Sequence, residues 1–116
     1  MPEGDCLFCR IAGGEIETER LHDDDQVVAF RDLNPQAPTH VLLIPRSHIG
    51  SALELTVEHG TLLARLFAAA AAIARAEGVA DSGFRLVTNA GRDAGQSVDH
   101  LHFHLLGGRR LGWPPG

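Results

Sequence analysis

Between residues 100 and 106 the chain reads His100-Leu101-His102-Phe103-His104-Leu105-Leu106, histidine alternating with large apolar residues. A strand is the element that fits this pattern, because successive side chains on a strand point to opposite faces. Histidines 100, 102 and 104 then share one face, with neighbours roughly 6.5–7 Å apart. Leu101, Phe103 and Leu105 fill the other face and need a core to cover them. Three polar rings in alternation are a costly use of a strand face, so the run predicts a strand over 98–106 that carries chemistry as well as packing.

The rest of the chain supplies the elements that such a strand requires. Residues 6–12 form a short helix stopped by Gly13-Gly14. Short strands follow over 18–22 and, with β-branched and aromatic character, over 27–31, separated by the turn Asp23-Asp24-Asp25. Pro35 and Pro38 keep 34–38 a loop. A strongly apolar strand over 41–44 ends at Pro45. The clearest helix spans 57–77, with Thr56 as N-cap, Gly78 as stop, and Leu62, Leu63, Leu66, Phe67, Ala70, Ile73 and Ala74 at helical spacing. A fourth strand covers 84–88, and a glycine-containing loop over 89–97 leads into the histidines. Hairpin-like early strands, one long helix and a late pair of strands predict an α+β domain with a mainly antiparallel sheet.

With 116 residues the chain has room for one core, so residues 1–116 are expected to form one domain with a tail over 107–116. A formal net charge of −5 argues against nucleic acid as a partner. It leaves a small anionic ligand open, since a few local donors hold a phosphate. The longest apolar stretch, residues 62–76, is interrupted by Arg65 and Arg75 and falls short of the ~20 residues of a membrane-spanning helix. The start Met-Pro-Glu-Gly-Asp carries neither a basic segment nor an apolar signal core, so a cytoplasmic location is expected. The two cysteines, Cys6 and Cys9, have a spacing suited to metal or redox work rather than to a disulfide framework.

Two chemical readings of the histidine face stay open at this level. The three imidazoles can chelate a metal. Alternatively one is a nucleophile and its neighbours donate protons and stabilise charge, for which neutral imidazole is well suited near pH 7. The loop Asn89-Ala90-Gly91-Arg92-Asp93-Ala94-Gly95-Gln96-Ser97 favours the second, because its backbone N–H groups can form an anion nest beside the histidines.

The run ending in Leu105-Leu106 resembles the signature of the histidine-triad (HIT) superfamily. Asp32-Leu33-Asn34-Pro35-Gln36-Ala37-Pro38-Thr39-His40, Val41-Leu42-Leu43-Ile44-Pro45, Gly95-Gln96-Ser97-Val98 and Trp113-Pro114-Pro115-Gly116 are similar to blocks of its Hint branch, the purine nucleoside phosphoramidases. The resemblance covers nearly the whole chain. It implies a five-stranded, mainly antiparallel sheet with one long and one short helix per subunit, a homodimer, and cleavage of the P–N bond of purine nucleoside 5′-phosphoramidates. His102 would attack the α-phosphorus of an AMP- or GMP-type substrate and form a nucleotidyl-histidine that water releases. Ser97 and His104 would hold phosphate oxygens and assist the leaving amine. His40 and His100 would support the proton network and orient the nucleophile. Asp32 would accept hydrogen bonds from ribose hydroxyls, or else simply cap the turn after it. Asn89, Gly95 and Gln96 would line the phosphate side, and Leu7, Phe8, Ile16, Phe30 and Leu33 the base, unless these apolar residues are plain core. Trp113 would shape the leaving-group side across the dimer, its alternative being a packing anchor for the tail.

The Cys6-Leu7-Phe8-Cys9 pair departs from the animal Hint pattern. It resembles other members of the superfamily in which two cysteines and two histidines, here His48 and His100, hold a structural zinc; catalysis itself would need no cofactor. Two thiolates and two imidazoles make an ordinary tetrahedral set, while two small apolar residues on a helix are the competing reading. If zinc binds, His100 becomes a positioning residue. Two rival functions remain on the sequence: a nucleotide-binding or scaffold module with vestigial catalysis, and a zinc-dependent hydrolase using the triad as ligands. His22 and His59 match no motif and are expected to be exposed and without a role.

Overall fold

Glycine and proline placement decides where most elements stop. In the computed structural model, which describes residues 5–116, helix α1 (Leu7–Ala12) starts at Cys6 and stops at Gly13, with Gly14 at φ 83° beyond it. Strands β1 (Arg20–Asp23) and β2 (Val27–Arg31) are joined by a turn in which Asp24 Oδ1 accepts the N–H groups of Gln26 and Val27, both at 2.7 Å. Strand β3 (Thr39–Pro45) follows, buried along its whole length. Helix α2 (Gly60–Ala76), strand β4 (Phe84–Val87) and strand β5 (Phe103–Gly107) complete the chain. The five strands form one antiparallel sheet in the order β1-β2-β3-β5-β4, so the fold is the expected α+β arrangement with one long and one short helix.

Strand alternation sorts the apolar residues to two faces. Val27, Ala29, Val41, Leu43, Leu101, Phe103 and Leu105 pack under Leu66, Ala70 and Ile73 of α2. Val28, Phe30, Leu42 and Ile44 pack on the other face, against Phe8 and Ile11 of α1. Helix α1 packs on this face through Phe8, whose ring also stands against His100 and His102. The β5 end is tight: a Cβ on Gly107 would stand 2.9 Å from Val79 Cβ, so only glycine lets the loop after α2 close on the sheet.

The element boundaries differ from expectation in instructive ways. Strand β3 begins at Thr39 rather than 41, which brings His40 into the ladder opposite Leu106. The long helix opens with a tight 3-10 turn over Val57–His59, and His59 is no bystander there: its Nδ1 accepts the Thr56 N–H at 2.9 Å, closing a capping box. His22 is half-buried and paired with Asp24 at 2.7 Å. With that 3-10 turn included, Val57–Ala76 reaches 20 residues at a mean hydropathy of 1.3, long and apolar enough to cross a membrane by length and composition. That exceeds the sequence reading; Leu66, Ala69, Ala70, Ile73 and Ala74 are the residues of this helix buried against the sheet.

The largest difference is β5, which starts at Phe103 instead of 98. The register pairs Leu43 with Phe103, so one more step in each direction brings residue 102 beside Ile44 and residue 101 beside Pro45. Pro45 has no N–H to give to a ladder. The chain therefore leaves β3: the Leu101 N–H turns to the Ile49 carbonyl, and the His102 carbonyl accepts the Thr88 hydroxyl at 2.8 Å. The alternation of faces nevertheless survives, since Leu101 joins the α2 core while His102 stays on the α1 side.

Candidate active site and metal-binding cluster

The three histidines of the run end in three different environments. His100 is fully buried. Its Nε2 lies 2.9 Å from the Pro45 carbonyl, which can only accept, so Nε2 carries the proton. Nδ1 is then a lone pair, and it faces Cys6 Sγ at 3.3 Å and Cys9 Sγ at 3.5 Å. His48 Nδ1 lies 3.3 Å from Cys9 Sγ. One donor atom from each of Cys6, Cys9, His48 and His100 lies within 4.8 Å of the others, so a single cation can reach all four. Two thiols and two imidazoles suit zinc, and four protein donors complete a structural coordination shell. Burial, partly offset by the bond to Pro45, lowers the pKa of the His100 imidazole, which favours the neutral form a ligand needs. Neither Cys6 nor Cys9 is joined in a disulfide.

His102 is also buried, but its ring is held differently. Nδ1 lies 2.7 Å from the His100 carbonyl and must donate to it, leaving Nε2 with the lone pair. The ring stands edge-on to Phe8 at 5.0 Å and to His104 at 5.1 Å. The carbonyl that orients His102 thus belongs to the residue whose side chain faces the thiols.

His104 and His40 form a wired pair. The Gln36 N–H donates to His40 Nδ1 at 3.0 Å, which puts the His40 proton on Nε2. That proton faces His104 Nδ1 at 2.9 Å and Asp32 Oδ2 at 3.4 Å. His104 Nδ1 accepts it, so His104 Nε2 keeps an N–H. Burial, with His102 and His40 as neighbours, lowers the His104 pKa to about 4 against the opposing pull of Asp32. Burial also lowers that of His40, again opposed by Asp32. Asp32, His40 and His104 also sit close enough to share a cation. The Gln36 bond argues against it, since a metal on His40 Nε2 would require the proton on Nδ1, where Gln36 already donates. Gln36 carries a second fixed contact, its carbonyl accepting Arg109 Nε at 3.0 Å.

The remaining predicted residues divide clearly. Asp32 does both jobs considered for it: Oδ1 accepts the Asn34 N–H at 2.8 Å and closes the turn, while Oδ2 is the atom facing His40. Phe8 and Phe30 are core residues with rings 5.8 Å apart, and Phe8 alone of the two also touches the histidines. Ile16 is half-buried, Leu7 exposed, and Leu33 is 96% exposed, so these apolar positions form no closed pocket. In the loop, Gln96 spends its side chain on structure: Nε2 donates to the Gly50 and Val98 carbonyls, and Oε1 accepts the Gly91 N–H. Gly91 and Gly95 have φ of 88° and 81°, which only glycine adopts easily. Ser97 is exposed and Asn89 half-buried. Asn89, His40 and His104 line a cavity of about 420 Å³ whose far wall includes Pro114 and Pro115, whereas Trp113 is 83% exposed. Sequence reasoning missed Gln36, Pro45 and Thr88, which act through backbone or hydroxyl groups, and Arg85 and Arg109 on the same cavity. None of these sits in a pattern that spacing alone could single out.

The order of groups is therefore a lone pair on His102 Nε2, an N–H on His104 Nε2, and behind it a second imidazole and a carboxylate. That order of groups has the chemistry a nucleophile beside a proton donor requires. Known proteins resemble this chain in sequence and in fold. Residues 13–111 match the HIT domain model. The chain is 47% identical over 106 residues to the purine nucleoside phosphoramidase of Escherichia coli, covering 91% of this chain and 89% of that protein. It is 44% identical over 114 residues to a 14 kDa zinc-binding protein of Brassica juncea, covering 97% and 100%. The crystal structure of a HIT family hydrolase from Legionella pneumophila superposes with a TM-score of 0.94 at 47% identity, covering 97% of this chain and 100% of that one. With its triad in place and the family match spanning most of its length, this chain belongs to the HIT family.

Proposed function

We propose that this protein hydrolyses purine nucleoside 5′-phosphoramidates and releases the nucleoside monophosphate through a nucleotidyl-histidine at His102. The observation that carries the reading is the hydrogen bond from His102 Nδ1 to the His100 carbonyl, which leaves Nε2 as a free lone pair next to His104. The similarity to the E. coli phosphoramidase supports it.

In the first step His102 Nε2 attacks the α-phosphorus, the P–Nε2 bond forms and the P–N bond to the leaving amine breaks. The His100 carbonyl stabilises the positive charge that appears on the His102 ring. The leaving nitrogen needs a proton. His104 and His40 are neutral in the free enzyme, but a bound phosphate raises the pKa of adjacent imidazoles. The pair thus takes up a proton with the substrate, and His104 delivers it to the amine. In the second step water attacks phosphorus, the P–Nε2 bond breaks, and the water proton returns to the pair. Ser97, Asn89 and the Gly95–Gln96 backbone hold phosphate oxygens, and Asp32 the ribose. Leu7, Phe8, Ile16, Phe30 and Leu33 flank the base.

Cys6, Cys9, His48 and His100 would hold a structural zinc, which would fix α1 and the His100 backbone to each other. Four protein donors would fill a tetrahedral shell, so such an ion would serve structure rather than catalysis. Such a site needs reduced thiols, which suits a cytoplasmic protein. We also propose a homodimer, built on the outward face of α2 and the free edge of β4. Phe67 is 48% exposed on that helix, and only 28% of the apolar window is buried within one chain. The exposed Trp113 is then available to the partner's site.

The test is AMP release from adenosine 5′-phosphoramidate in the presence of chelator. Turnover by the wild type and none by His102→Ala, with nucleotide binding kept, is the expected result. No turnover by either protein would leave a nucleotide-binding module as the better reading.

A further inference from the structure

The cavity beside His104 is lined by cationic side chains and no carboxylate; another acid-free cavity, at Cys9 and Arg46, has its arginine paired with Asp23. The chain carries 15 acidic residues, yet no Asp or Glu lines this cavity of about 420 Å³. Acidic groups do line the cavities at Ile16, at His48 and Ser51, and at Leu21. Arg85 and Arg109 both line it, together with His104 and His40. Neither arginine has a carboxylate partner among the described residues, although Arg20, Arg31, Arg46, Arg65 and Arg92 each have one. Arg85 Nη2 donates to the Gly112 carbonyl at 2.9 Å, and Arg109 uses Nε and Nη1 on the Gln36 and Arg110 carbonyls. A guanidinium carries five N–H donors, so both keep donors in hand. These three bonds to neutral carbonyls also hold the heads in place without neutralising them.

The position of this charge matters. Successive ring contacts run from Phe8 to His102, His104 and His40, and the cavity opens at the far end of that row. A group expelled toward the His104 N–H enters this space. We infer that Arg85 and Arg109 form an anion subsite for the leaving group, selecting phosphoramidates whose amine bears a carboxylate over those whose amine is neutral. The inference rests on the phosphoramidase reading and adds the chemistry of the departing amine. Arg85 and Arg109 are specificity residues here: guanidinium pairs with carboxylate through charge-assisted, often paired hydrogen bonds.

The experiment compares two substrates that differ in one group, adenosine 5′-phosphoramidates N-linked to glycine and to glycinamide. The expected result is a kcat/KM about tenfold higher for the glycine compound with the wild type, in line with a charge-assisted contact. Arg85→Gln and Arg109→Gln each reduce that ratio severalfold, and Arg85→Gln/Arg109→Gln abolishes it. Arg85→Lys retains part of it. A purely structural role in pinning the tail or the Gln36 loop lowers both substrates alike and leaves the ratio intact, which would overturn the inference, as would equal rates with the wild type. If neither substrate turns over, the phosphoramidase reading is what has failed. Calorimetric binding of the two compounds to the His102→Ala protein then decides the subsite: tighter glycine binding that is lost in Arg85→Gln/Arg109→Gln supports it, and equal affinities sink it.

Discussion

Two histidines only two residues apart, His100 and His102, carry the same side chain and end in opposite hydrogen-bonding environments. His100 gives its proton to the Pro45 carbonyl and points its lone pair at two thiols inside a closed set of four donors. His102 gives its proton to the His100 carbonyl and keeps its lone pair for a ligand. In each case a backbone acceptor on one ring nitrogen decides what the other can do. The Cys/His cluster and the histidine row are thus two outcomes of one rule, joined through the backbone of a single residue.

The strongest way to break the comparison is to remove the lone pairs one at a time. His102→Ala should lower turnover by about a thousandfold or more while the protein stays folded and binds AMP, as measured by steady-state kinetics and calorimetry. A comparable loss of AMP affinity would show that His102 is a binding residue instead. On the metal side, Cys6→Ala or Cys9→Ala should abolish stoichiometric zinc in protein purified without added metal. The thermal midpoint should fall by about 5–10 °C. Elemental analysis and thermal melts check this, and wild-type protein lacking zinc while its thiols are reduced would remove the metal from the picture.

The reactive row also makes a prediction about protons. The folded-state pKa of His104 is lowered to about 4, below the unfolded value of about 6.5. Between those values the unfolded chain binds the extra proton, so stability contributed by the neutral ring is present above pH 6.5 and is lost as pH falls toward 4. Melting at pH 7, 6, 5 and 4 should show a decline that is weaker in His104→Gln. AMP binding near pH 6 should be accompanied by proton uptake, read as a dependence of the calorimetric heat on the buffer's ionisation enthalpy. Binding without uptake would exclude a proton brought in with the phosphate.

A smaller effect sharpens the role of the carboxylate. Asp32→Asn keeps the oxygen that accepts the Asn34 N–H but removes the charge facing His40. Asp32 opposes the lowering of both imidazole pKa values, so its loss should move the acid side of the pH–rate profile to lower pH. The change in kcat/KM at pH 7 should stay within about tenfold, the size of one hydrogen bond to a charged group. An unchanged profile would confine Asp32 to the turn and the ribose.

Much of the fold was legible because it rests on local rules. Gly13-Gly14 stops α1, the apolar spacing from Leu62 to Ala74 marks α2, and alternation sends Leu101, Phe103 and Leu105 to the core. The boundaries that were misjudged depend on partners distant in sequence. Strand β5 begins late because Pro45, more than fifty residues earlier, cannot extend the ladder. Strand β3 begins early because β5 offers Leu106 and Gly107 to His40 and Thr39. Gln96 was read as a ligand-facing amide, but its neighbours in space draw its side chain into three structural bonds.

The sequence by itself determined the alternation of histidine with apolar residues, the identity of the donor groups and the family. Those follow from residue type and spacing, which chain connectivity preserves. Tertiary structure alone decided which nitrogen of each imidazole holds its proton. That choice depends on the carbonyls of Pro45 and His100 and the N–H of Gln36, groups that every residue possesses and only folding can place. It also decided that two arginines without acidic partners meet at the end of the histidine row, because side chains 24 positions apart converge only when β4 and the tail flank the same cavity.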